Sequence, residues 1–131
     1  MILRPKETYD GAIPSGNALM AWNLVRLSQI SENEEMKRDA ERQLDFLAGE
    51  AAQYPAGHAM FLLALLDYKD PPTRIIVVTA KRAEVPPLAS EAVVRLLDAP
   101  TQEYPLKNGR TTFYVCRNHS CLPPSNELTG V

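Results

Sequence analysis

The sequence predicts a mainly α protein with a small α/β appendix. Three observations carry that prediction. Residues from Ala18 to Tyr68 read as three helices, the first and third apolar nearly all round and the second with apolar positions every three or four residues. Lys69-Asp70-Pro71-Pro72 then breaks any helix. Beyond it Ile75-Ile76-Val77-Val78 is a β-branched run of the kind that forms buried strands. Charge changes at the same place. Residues 1–68 carry 6 basic and 10 acidic residues, and residues 69–131 carry 8 basic and 6 acidic. Two segments are therefore expected, 1–70 and 71–131, the second packed on the first.

The first helix starts after Pro14, with Ser15 as N-cap. It runs through Leu19, Met20, Trp22, Leu24, Val25, Leu27 and Ile30, apolar nearly all round, so burial on several sides is expected. Ser31 and Glu34 have capping-box spacing for a second helix. That helix carries Met36, Ala40, Leu44, Leu47 and Ala51 on one stripe and Lys37, Arg38, Glu41, Arg42 and Asp45 opposite. Tyr54-Pro55 opens a third helix, roughly 56–68, expected to be the most buried element because Ala59 to Leu66 is unbroken apolar sequence. The order buried, amphipathic, buried is that of stacked helical hairpins. Three helices are one and a half hairpins, and a layer this apolar needs more neighbours. The expected partners are the rest of a larger helical array or a second copy of the chain.

The second segment reads as strand–helix–strand. Arg74 to Thr79 is the first strand, Ser90 caps a short helix through Leu97, and Thr111 to Cys116 is the second strand. Lys107-Asn108-Gly109-Arg110 is a tight turn, because Asn-Gly tolerates positive φ.

Composition excludes several classes. A net charge of −2 offers no basic footprint for nucleic acid. The longest apolar run is far below the roughly 20 residues of a membrane span. No basic-then-apolar leader opens the sequence, so the expected compartment is cytoplasmic. No phosphate loop, G-x-S-x-G or H-E-x-x-H pattern occurs.

Two stretches hold candidate chemistry. Tyr9 to Asn17 places Asp10, Ser15 and Asn17 with two glycines before a buried helix. Such a loop can bind polar ligands or supply a base, and it can equally serve only as turn and cap. Cys116-Arg117-Asn118-His119-Ser120-Cys121 holds three soft ligands. That is half a zinc site, since a structural zinc takes four ligands. In a cytoplasmic protein reduced thiols are the leading expectation; a short-loop disulfide and a metal half-site remain open. His58 and Trp22 read as core residues, although tryptophan also lines sugar clefts.

Asp10-Gly11-Ala12-Ile13-Pro14-Ser15-Gly16-Asn17, followed by Asn23-Leu24-Val25-Arg26-Leu27, resembles the D-G-A-x-P-S-x-N…N-L-x-R-L stretch of the bacterial YyaL-like and spermatogenesis-associated thioredoxin-domain proteins. Tyr114-Val115-Cys116-Arg117-Asn118-His119-Ser120-Cys121-Leu122-Pro123-Pro124 is similar to that family's C-terminal Y-V-C-x-N-x-x-C-x-x-P. The family joins a thioredoxin-like domain to an (α/α) toroid like those of six-hairpin glycosidases. The resemblance implies that this chain matches the C-terminal end: the last toroid hairpins and a small β-containing tail. By that analogy the Asp10–Asn17 loop faces a central cleft, with Asp10, Ser15, Asn17 and Trp22 as ligand-contact candidates and a carbohydrate-related role. No cofactor and no reaction follow from it. A chain lacking most of a cleft's wall is not expected to be an enzyme by itself.

Overall fold

The computed structural model describes residues 6–79, 87–88, 92–117 and 120–128. They form three α-helices and a four-stranded mixed sheet. The chain divides into two compact units, Met1–Asp70 and Pro71–Val131.

In the first unit, α1 spans Gly16–Ser31, α2 Glu34–Gln53 and α3 Ala59–Lys69. Ser15 is the N-cap of α1, and its hydroxyl accepts from the Ala18 N–H. Ser31 does not cap α2. It is still helical, and its hydroxyl donates to the Leu27 carbonyl at 2.7 Å. The cap is Asn33, which is extended and whose side-chain oxygen accepts from the N–H groups of Glu35 and Met36. An N-cap must stand outside the helix it starts with non-helical backbone, and Ser31 is the last residue of α1. Tyr54-Pro55 opens a single 3-10 turn, Pro55–Gly57, rather than α3 itself, which begins after His58.

The core of this unit is Ala18, Ala21 and Val25 from α1, Ala40, Leu44, Leu47 and Ala51 from α2, and Phe61 and Ala64 from α3. Five of these nine are alanines, so the helix backbones approach closely. The α2 stripe predicted from spacing is the buried one, with Met36 half-buried at its start. Helix α3 departs from expectation. Phe61 and Ala64 are buried, but Leu62, Leu63 and Leu66 are 41%, 55% and 58% exposed. α1 packs along both other helices, which touch each other far less, and three helices cannot enclose an all-apolar helix.

The Tyr68 hydroxyl donates to Glu41 Oε1 at 2.7 Å and ties α3 to α2. That bond, then burial, then the negative charges of Glu41 and Asp45 raise the phenol above its usual value of 10.0. The folded state therefore holds this proton more tightly than the unfolded state does. Its stabilisation is complete below the ordinary phenol range and is lost as pH rises through the raised folded value. Tyr68→Phe is expected to flatten the fall in melting temperature above about pH 10. Parallel melts of the two chains between neutral and alkaline pH check this; identical slopes would refute it.

In the second unit, β1 spans Arg74–Val78, β2 Val93–Leu97, β3 Thr112–Arg117 and β4 Ser120–Cys121. The order is β2-β1-β3-β4, with β1 and β2 parallel and the other pairs antiparallel. The short helix expected to end at Leu97 is therefore a strand, and Ser90, its expected cap, lies outside the described residues. Val93-Val94-Arg95-Leu96-Leu97 is too short for periodicity to separate helix from strand. The open edge of β1 decides it, with Ile75 paired to Val94 and Val77 to Leu96. β1 is buried from Ile75 to Val78, as a central strand of β-branched residues should be.

Ile75, Val77 and Phe113 form the core on one face, joined by Val94, Leu96 and Leu128. The 107–110 turn is as expected. Asn108 and Gly109 have φ of 57° and 64°, and the Arg110 N–H donates to the Lys107 carbonyl at 3.1 Å. Two positive φ values make it a type I′ turn, for which Asn-Gly is the favoured pair. The Asn126 amide donates to the carbonyls of Lys107 and Thr111, both at 2.9 Å, and fastens the tail to this turn. No helix of the described residues is long and apolar enough to cross a membrane.

Candidate functional site

The Tyr9–Asn17 loop brings three of the four ligand candidates together at the end of the bundle where α1 and α3 begin. Asp10 is its hub. Oδ1 accepts from the Ser15 N–H at 2.7 Å and Oδ2 from the Met60 N–H at 2.8 Å. The Asp10 N–H donates to the Gly57 carbonyl at 2.7 Å. Met60 lies in the first turn of α3, and His58, the N-cap of that helix, makes no side-chain cap bond. Asp10 thus caps α3 from a distant part of the chain, where a negative charge also suits the helix dipole.

Ser15 is 4% exposed. Its hydroxyl donates to the Thr8 carbonyl and accepts from the Ala18 N–H, both at 3.2 Å. The Asn17 amide donates to the Glu7 carbonyl at 2.5 Å. The Gln43 amide in turn donates to the Asn17 carbonyl at 3.1 Å and to its side-chain oxygen at 3.3 Å. The Thr8 hydroxyl donates to the Glu50 carboxylate. Each polar side chain predicted to meet a ligand is thus engaged by the chain itself. The arrangement is a clasp holding residues 7–17 to all three helices.

Beside the clasp, the Tyr9 and Tyr54 rings are near parallel, with centroids 6.3 Å apart. Gly57 sits between them. A Cβ there would stand 2.5 Å from Tyr9 and 2.7 Å from Tyr54, so only glycine fits without moving a ring. His58 is buried, and its Nδ1 donates to the Tyr54 carbonyl at 2.8 Å, which leaves Nε2 unprotonated in the neutral ring.

Trp22 belongs to a different cluster. Its Nε1 donates to Asp67 Oδ2 at 2.8 Å, and Arg26 Nε pairs with the same oxygen at 2.9 Å. The Arg26 guanidinium lies 5.4 Å from the indole centroid, and Gln29 donates to the Asp67 carbonyl at 2.9 Å. Trp22 is half-buried against the core. Asp67, Gln43, Gly57 and the Met60 N–H all escape a sequence reading. Their roles come from helices meeting, and spacing along one helix carries no trace of that.

In the second unit, Cys116 and Cys121 form a disulfide. The expectation of reduced thiols is replaced for a geometric reason: the β3–β4 register sets the two residues directly opposite. In this oxidised form neither sulfur is the thiolate that binds zinc. His119 lies outside the described residues, and among those described no group of three His, Cys, Asp or Glu could hold a metal. Nearby, a shallow cleft of about 320 Å³ is lined by Pro105, Leu106, Lys107, Tyr114, Pro123 and Pro124. The Tyr114 hydroxyl donates to the Pro105 carbonyl at 2.5 Å, and burial raises its phenol above the usual value.

No family model, no curated protein and no solved structure matches the chain.

Proposed function

We propose that the helical unit is an assembly module that packs against further apolar helices, as the last hairpins of an (α/α) array would. The observation that carries this is the outer face of α3. Its exposed positions from Ala59 to Leu66 are Ala59, Leu62, Leu63 and Leu66, with no polar residue among them. The exposed face of α1 is similar: Leu19, Met20, Asn23, Leu27 and Ile30. By contrast α2 turns Glu34, Glu35, Lys37, Arg38, Arg42 and Asp45 outward, as a solvent-facing helix does. Covering an exposed leucine contributes about 1.5–3 kcal/mol. The partner that suits these faces is a pair of helices with leucine-rich stripes, and not a charged surface.

A carbohydrate-related role belongs to the assembled array in this proposal, with the single chain not catalytic. Its support is the family resemblance, and its residues would be Asp10, Ser15, Asn17 and Trp22. Titration of mono- and oligosaccharides against the assembled protein tests that part, and absence of binding removes it. A cytoplasmic setting is part of the same proposal, tested by fractionation of cells expressing the native gene.

For the assembly itself the test is sedimentation velocity with an apolar dye as a second probe. The chain alone is expected to self-associate through these faces and to bind the dye. The double variant Leu63→Glu, Leu66→Glu is expected to sediment as a monomer with its helix content intact. A wild-type chain that is monomeric and binds no dye would remove the reading.

A further inference from the structure

We propose that the Cys116–Cys121 bridge is a thiol–disulfide exchange site for a dithiol reductant, with Cys121 the sulfur attacked and Cys116 the leaving group. The two sulfurs differ in access. Cys121 is exposed on β4, the two-residue outermost strand, whereas Cys116 is 8% exposed within β3. An incoming thiolate therefore meets Cys121 first. Exposed bridges are the ones that exchange, whereas buried ones are inert.

The sheet also distinguishes the leaving group. Arg74 on β1 is the register partner of Cys116, and partners directly opposite in an antiparallel pair project from the same face. A guanidinium-bearing residue beside Cys116 favours the thiolate that must depart.

The bridge is not needed to keep the tail in place. Beyond Cys121 the Leu122 N–H donates to the Val115 carbonyl at 2.9 Å, and Phe113 and Ser125 exchange backbone bonds at 2.7 and 3.2 Å. Asn126 holds the 107–110 turn, and Leu128 packs against the Ile75–Val77–Phe113 core. Opening the S–S bond thus leaves the sheet standing, which reversible exchange requires.

The reaction balances as follows. A thiolate of the reductant attacks Cys121 Sγ, the Cys116–Cys121 bond breaks, and its electron pair leaves on Cys116. The reductant's second thiolate then attacks the mixed disulfide and releases Cys121. The reductant ends as a disulfide, and the two protons of its thiols end on Cys116 and Cys121.

The experiment uses the full oxidised chain with dithiothreitol at neutral pH, counting thiols by alkylation and mass. Reduction is expected at a rate proportional to dithiothreitol, with the far-ultraviolet circular dichroism unchanged. Arg74→Gln should slow it about threefold, and Arg74→Lys should restore it. With glutathione in place of dithiothreitol, the trapped mixed disulfide should form on Cys121 about tenfold more than on Cys116, read by peptide mass. Three results would overturn the proposal: a reduction rate independent of dithiothreitol and equal to the unfolding rate, equal labelling of the two cysteines, or a purified chain whose thiols glutathione disulfide does not close.

Discussion

Replacing Asp10 by alanine is expected to destabilise the helical unit by about 2–3 kcal/mol. Two effects add. The first turn of α3 loses a side-chain acceptor that His58 does not replace, since His58 makes no cap bond and Oδ2 is what receives the Met60 N–H. Loss of such a cap costs about 1 kcal/mol. The Ser15 N–H loses Oδ1, and Ser15 is a buried residue in the same clasp, so its donor is left without a partner at a further cost of about 1–2 kcal/mol. Asp10→Asn retains one acceptor oxygen and should recover about half of the loss. Urea unfolding followed by Trp22 fluorescence reads this directly, because Trp22 is the single tryptophan and lies in this unit. The same measurement separates the clasp from a ligand-binding role. A residue kept for ligand contact leaves stability unchanged or improves it when truncated. An Asp10→Ala chain as stable as wild type would show that the clasp contributes nothing.

Phe113→Ala should destabilise the sheet unit by about 3–4 kcal/mol. Phe113 is 5% exposed, pairs with Val77, and packs with Ile75 in a core of few members. The loss combines the removed apolar surface with the cavity left behind. Amide hydrogen exchange at Ile75 to Val78 is the measurement, since these are the central residues of the sheet. Protection there should fall by about two to three orders of magnitude if the strand exchanges through opening of the whole unit. Unchanged protection would mean that the Ile75–Val77–Phe113 contacts do not hold the sheet together.

Much of the fold can be read from local pattern. The helix capped by Ser15, the α2 stripe Ala40–Leu44–Leu47–Ala51 and the Asn108-Gly109 turn all follow from periodicity and backbone preference. These features are decided within a few residues of chain. The misreadings share one cause. Val93 to Leu97 has no local preference strong enough to choose between helix and strand, and the free edge of β1 chooses for it. Ser31 has the right spacing for a cap but is overtaken by the length of α1, so Asn33 takes the role. The candidate site divides in the same way. That Asp10, Ser15 and Asn17 act together was legible in their clustering before a buried helix. That they act on Met60, Thr8 and Gln43 was not, because those partners lie on other elements.

The sequence by itself determined where α1 and the 107–110 turn begin, which face of α2 is apolar, and that α1 and α3 carry more apolar surface than one neighbour can cover. Those properties depend on residues three or four apart, and the chain states them directly. Only the tertiary structure decided that Cys116 meets Cys121, that β2 runs parallel to β1, and that the Asp10 carboxylate turns inward to cap α3. Each depends on strand register or on two helix ends meeting. A backbone N–H from a remote element satisfies a carboxylate as well as a ligand would, and composition cannot tell the two apart.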